Sequence, residues 1–215
     1  SLTPIAGMIT MLQMMLGEII IGGVGAGFYG MILYVILSVF IAGLMIGRTP
    51  KYMGKKIEAP EMSFAVIAIL LPSICILAFS AITLMIPSAL ESLSNPNSHG
   101  ITQILYAFTS ASANNGSAFA GLSGNTSYFN YALAFCMFVG RFGIIVLILA
   151  IAGNLASKKI VPQDQGTLKS SGFMFIVLLI CTILLTGALT FSLLVTVKPA
   201  FESLSGTVLA DTIPT

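Results

Sequence analysis

Apolar runs far longer than any strand needs constrain this chain more than any other feature. Residues 3–47, 63–87, 129–154 and 173–197 form four blocks almost free of charge. A bilayer core of about 30 Å is crossed by about 20 apolar residues wound as an α-helix, because a helix satisfies its backbone hydrogen bonds internally. The 215 residues are 57% hydrophobic and 7% charged, whereas soluble domains carry about 25% charged residues. Period-2 alternation, the mark of a membrane barrel, is absent. The fold class is therefore an all-α membrane protein in contact with a lipid bilayer. A net charge of +2 is too small to suggest nucleic acid as a partner.

The first block is too long for one crossing and is interrupted by Gly22-Gly-Val-Gly-Ala-Gly27. The simplest reading is one crossing in two half-helices joined by an unwound, glycine-rich middle. The second block holds Pro72, a candidate kink. Between the second and third blocks, residues 103–111 can form a helix of only about 14 Å at 1.5 Å per residue, half a bilayer. Loop cations set the orientation. Arg48, Lys51, Lys55 and Lys56 lie between blocks one and two, and Lys158, Lys159 and Lys169 between blocks three and four. Basic loops stay cytoplasmic, so the loop with Glu91 and His99 faces outward and the half-helix enters and leaves from outside. The chain starts inside an apolar segment with no basic n-region or cleavage site before it. The expectation is a piece of a longer protein, its N-terminal part cropped.

The half-helix runs into Ser112-Ala113-Asn114-Asn115-Gly116. Irregular backbone at membrane depth is tolerated only where protein buries it or where it lines a watery cavity. Main-chain carbonyls placed there can replace the water around a cation. Gly116 frees the backbone, and Asn114 and Asn115 tolerate left-handed geometry and can brace the loop. The negative end of the half-helix dipole favours a cation. The pattern points to a potassium filter; the competing reading is an ordinary Asn-Gly surface turn. Glu18 and Arg141 are the charges inside apolar spans, which makes them candidates for an ion pathway, or for a mutual ion pair. Gly22, Gly23, Gly25 and Gly27 suit a gate below the filter or close helix packing.

Other patterns carry less. Gly25, Gly27 and Gly30 match G-x-G-x-x-G, but no acidic residue follows at the required distance. Asn115-Gly-Ser117 and Asn125-Thr-Ser127 match glycosylation acceptors, a pattern common by chance. His99 has no assignable role. Cys75, Cys136 and Cys181 suit buried apolar packing rather than a disulfide or metal site. No phosphate-binding loop and no nucleophile–base pair is present, so the chain is not an enzyme by itself.

Several runs resemble the potassium-translocating A subunit of the Kdp potassium-transporting P-type ATPase. They are Gly47-Arg-Thr-Pro-Lys-Tyr-Met-Gly-Lys-Lys-Ile-Glu-Ala-Pro-Glu-Met62, His99-Gly100, Ile104-Leu-Tyr-Ala-Phe108, Asn114-Asn-Gly-Ser-Ala-Phe-Ala-Gly-Leu122 and Gly140-Arg-Phe-Gly143. The likeness runs from Ser1 to about Phe191, and the tail beyond matches poorly. The resemblance implies potassium-channel-like membrane–pore–membrane repeats, four around one pseudo-fourfold axis. Residues 1–47 would be the broken closing helix of the third repeat and 48–62 a cytoplasmic loop. Residues 63–154 would be the complete fourth repeat, with half-helix and re-entrant filter at 102–122. A second cytoplasmic loop (155–172), a final helix (173–197) and an outward-facing tail (198–215) would follow. The family's fourth filter maps onto Asn114, Asn115 and Gly116, its membrane arginine onto Arg141 and its acidic residue onto Glu18. The family often has a third Asn where this chain has Ala113, which bears on a side-chain brace and not on the carbonyls. Also implied are a multi-pass place in the bacterial inner membrane, potassium as transported ligand with no cofactor, a separate P-type ATPase catalytic subunit that hydrolyses ATP, and small accessory membrane subunits. Competing readings are a passive or ion-coupled potassium transporter, a secondary transporter of an organic solute, and a membrane scaffold.

Overall fold

The computed structural model describes residues 3–16, 27–47, 49–95, 98–161 and 172–189. Helix α1 spans Pro4–Met15 and opens with Thr3, whose hydroxyl accepts the amide of Ala6 at 3.4 Å; Pro4 sits where a helix needs no N–H. Helix α2 spans Gly27–Met45. At 19 residues it is about 28 Å long, the length of a full crossing, so the second half of block one is more than the half-helix expected. Its composition, rich in Leu, Ile and Val, sustains the helix past Gly30. Residues 17–26, which join α1 to α2, lie outside the described residues.

Strands β1 (Lys51–Tyr52) and β2 (Lys55–Lys56) form a small antiparallel hairpin in the first basic loop. Met53 and Gly54 make its turn with φ of 50° and 77°, the double left-handed geometry of a type I′ turn. Helix α3, Ala59–Leu84, is continuous through Pro72. A four-residue helix α4, Pro87–Leu90, leads to α5, Ser98–Ser112. Helix α6, Ser127–Phe138, passes through a π-turn at Val139–Gly143 into α7, Ile144–Ser157. Helix α8 is the apolar Phe173–Leu189.

Helix α5 is longer than the half-helix expected, 15 residues against nine, because it starts at Ser98. Gly100 permits this: a Cβ there would lie 2.6 Å from the carbonyl oxygen of Asn95. Even so, α5 reaches only about 22 Å, short of a crossing. Among the described residues three helices are long and apolar enough to span a bilayer, Phe28–Met45, Ala59–Leu84 and the α6–α7 rod Ser127–Ser157.

Among the described residues the two larger cores lie along these rods. One joins Leu33, Ile36 and Val39 of α2 to Ala65 and Ala68 of α3, Ile148 and Ile151 of α7 and Phe175 of α8. The other joins Cys75 and Leu84 of α3 to Ile104 and Phe108 of α5 and Phe129, Ala132 and Cys136 of α6. Leu149, Val146, Phe138 and Leu185 point outward and exposed, as apolar side chains facing lipid or further membrane helices would. Cys75 and Cys136 are buried as expected; Cys181 is exposed, because α8 packs through its other side.

Candidate functional site

Helix α5 ends in a Schellman motif. The amide of Asn115 donates to the carbonyl of Ser110 at 2.9 Å and that of Asn114 to Ala111 at 3.0 Å, with Asn114 left-handed at φ 64°. Asn is one of the few residues that enters this region cheaply. Gly116 follows at φ 76°, and its amide also reaches Ser110 at 3.4 Å. The chain thus leaves the helix at Ala113–Asn114 and reverses within Ser112, Ala113, Asn114, Asn115 and Gly116. The side-chain amide of Asn114 makes a long contact of 3.5 Å with the Ser112 carbonyl.

The returning chain then runs back along one face of α5. Ser110, Tyr106 and Gln103 stand one helical turn apart on that face. The Ser117 hydroxyl lies 2.9 Å from the hydroxyl of Ser110 and 3.3 Å from that of Tyr106. The rings of Tyr106 and Phe119 are 4.1 Å apart. The Gln103 amide donates to the Ala120 carbonyl at 3.4 Å and to the Ser94 hydroxyl at 3.3 Å, and the Ser123 amide donates to the Ser92 carbonyl at 2.9 Å. The loop therefore enters and leaves at the same end of the bundle.

The π-turn meets the foot of this loop. A Cβ on Gly140 would overlap the carbonyl of Ser112, so only glycine allows the contact. The sequence explains the turn. The core positions of α6 (Phe129, Ala132, Cys136) and α7 (Ile148, Ile151) would face about a quarter-turn apart in an uninterrupted α-helix at ~100° per residue. One surplus residue taken up in the wider turn returns both sets to one side. Arg141 lies in this turn, half-buried and near the middle of the 31-residue rod. Gly27 opens α2; Glu18, Gly22, Gly23 and Gly25 lie outside the described residues.

At the opposite end the two basic loops come together. Lys55 donates to the carbonyls of Leu155 and Ala156 at 2.6 and 3.2 Å, closing the C-terminus of α7. Lys158 bridges Glu58 at 2.9 Å and the fully buried Glu61 at 2.8 Å, and donates to the Lys56 carbonyl at 3.1 Å. The Glu58 carboxyl is held below its ordinary pKa by hydrogen bonds from Lys158 and Lys56. Burial works against the Lys158 charge, but its hydrogen bonds to Glu61 and Glu58 outweigh that and raise its pKa. Among the described residues no cluster of His, Cys, Asp or Glu suits a metal ion.

Long apolar spans joined by a short helix and a left-handed reversal define an all-α membrane protein. The chain belongs to the Potassium-transporting ATPase A subunit family, whose model matches residues 1–204. The likeness thus continues beyond Phe191, where the motifs alone had stopped. Relatives include the "Potassium-transporting ATPase potassium-binding subunit" of Rhodopseudomonas palustris, 53% identical over 205 residues that cover 95% of this chain and 36% of that protein. The protein of the same name from Salmonella paratyphi B is 53% identical over 205 residues, covering 95% and 37%. The chain spans about a third of the length of these relatives.

Proposed function

We propose that this chain is part of the potassium-binding subunit of an ATP-driven potassium uptake complex in the bacterial inner membrane. Its loop Ser112, Ala113, Asn114, Asn115 and Gly116 holds dehydrated K⁺ through main-chain carbonyls. The observation that carries this reading is the reversal after α5. Two left-handed residues, Asn114 and Gly116, turn the chain back within a membrane bundle, and a reversal of that kind can present consecutive carbonyls to an ion. Glu18, the glycines Gly22, Gly23, Gly25 and Gly27, and Arg141 control passage below it. ATP hydrolysis belongs to a separate P-type catalytic subunit, assisted by small accessory membrane subunits. Residues 63–154 form the complete pore repeat, with the loops at 48–62 and 155–172 on the cytoplasmic side. The names of the relatives support potassium as the ion.

Gly116→Asp in the full-length protein tests the reading. A carboxylate side chain on a left-handed backbone beside the ion should abolish growth on scarce potassium while membrane abundance is retained. Undiminished uptake would end it. A scaffold without transport predicts that undiminished uptake.

A further inference from the structure

The hydroxyl of Ser117 is not one of the residues that would touch the ion, yet it stands where three parts of the loop converge. Ser110, fully buried, accepts the amides of Asn115 and Gly116 on its carbonyl and meets Ser117 at 2.9 Å through its hydroxyl. Tyr106, one turn earlier, completes the cluster at 3.3 Å from Ser117 and stacks against Phe119. Three consecutive residues, 115 to 117, are thereby tied back to one turn of α5. Each hydroxyl can both donate and accept, so the cluster satisfies itself in either direction.

A carbonyl loop that resists closing around the smaller of two monovalent cations favours the larger one. Its own backbone cannot supply that resistance, since Gly116 is the most permissive residue available. Resistance must come from what holds the loop from behind. We infer that Ser117, bridged to Ser110 and Tyr106, is a positioning residue that sets the preference of this loop for K⁺ over smaller cations. The inference rests on the reading of residues 112–116 as an ion-binding loop. Loss of the bridge frees the 115–117 segment to contract, so Na⁺ is accommodated better. The α5 helix itself remains, held by Phe108 and Ile104 in the core.

The test uses the full-length protein in its intact complex and compares K⁺ and Na⁺ as activators of ATP hydrolysis. Ser117→Ala and Tyr106→Phe should each reduce the ratio of apparent K⁺ to Na⁺ affinity roughly threefold to tenfold, the scale of one net hydrogen bond. The double variant should do little more than Ser117→Ala, because both act on one cluster. Ser117→Thr, which keeps the hydroxyl, should hold the ratio near that of the parent. A purely structural lesion lowers activity with both ions and leaves the ratio alone. An unchanged ratio in Ser117→Ala and Tyr106→Phe, an equal change in Ser117→Thr, or loss of assembly in both hydroxyl-deleting variants would overturn the inference. Gly116→Asp separates the two levels. If it leaves K⁺ dependence intact, the ion-binding reading itself fails; if it abolishes activity while the hydroxyl variants keep the ratio, only the Ser117 inference fails.

Discussion

Gly140 packs directly against the carbonyl group of Ser112, so the widest turn of the α6–α7 rod touches the last residue of α5. No side chain fits between them. Gly140→Ala should force the rod and the loop apart and cost about 1–3 kcal/mol, the usual penalty for overpacking. Thermal unfolding of the detergent-solubilised full-length protein measures the cost. K⁺ activation of the complex should weaken in the same variant, because the contact bears on the first carbonyl of the loop. A Gly140→Ala protein with parental stability would show that the contact is slack.

Asn114 and Gly116 differ in what they tolerate, although both are left-handed. Asn114→Gly keeps the Schellman geometry and should fold normally. Asn114→Val places a β-branched residue at positive φ and should cost about 1–2 kcal/mol. The pair is compared by melting temperature in detergent. Equal destabilisation by Gly and Val would mean that the Asn side chain, not the backbone, holds the turn.

Lys158 joins two carboxylates, one of them on Glu61, which has no solvent exposure. Lys158→Met leaves that carboxylate without its cation and should cost about 1–3 kcal/mol or more. Lys56→Met removes only the exposed contact with Glu58 and should cost less. Stability of the two variants, ranked in the same detergent, checks the order.

The same cluster sets a pH window. Glu58 has a lowered folded pKa, so its contribution is fully present above the ordinary carboxylate value of about 4.3. It is lost as pH falls through the lower folded pKa. Lys158 has a raised folded pKa, so its contribution is fully present below about 10.4 and lost as pH rises through the higher folded value. Melting temperature against pH should therefore show both flanks in the parent, and both should flatten in Lys158→Met. A parent profile identical to that of the variant would remove the cluster from the account.

Much of the architecture is legible in the sequence, and the reason is solvent. In lipid, apolar length alone reports helices, which is why α3 and the α6–α7 rod fall near the boundaries drawn from composition. Asn114 and Gly116 also announce a turn, since few residues enter the left-handed region. Other features carry no such signal. The extra turns of α5 at Ser98–Gly100 read as loop because Gly100 is a poor helix former, and its close approach to Asn95 is visible only in three dimensions. The hairpin turn uses Met53 where Asn or Asp would have marked it. Ser110, Ser117 and Tyr106 sit in a run whose hydropathy says nothing of mutual hydroxyl contacts. The π-turn around Arg141 shows itself only once the buried positions of α6 and α7 are compared.

That turn has an unusual implication for length changes in the rod. Removing a residue from a packed membrane helix normally swings everything beyond the cut away from its neighbours. Here the chain carries one residue more than regular winding requires, confined to Val139–Gly143. Shortening the rod by one residue at that place would straighten it while Phe129 and Ile151 kept their present bearings. The casualty would be the seat that Gly140 offers to Ser112: the scaffold would survive a deletion that the loop above it does not.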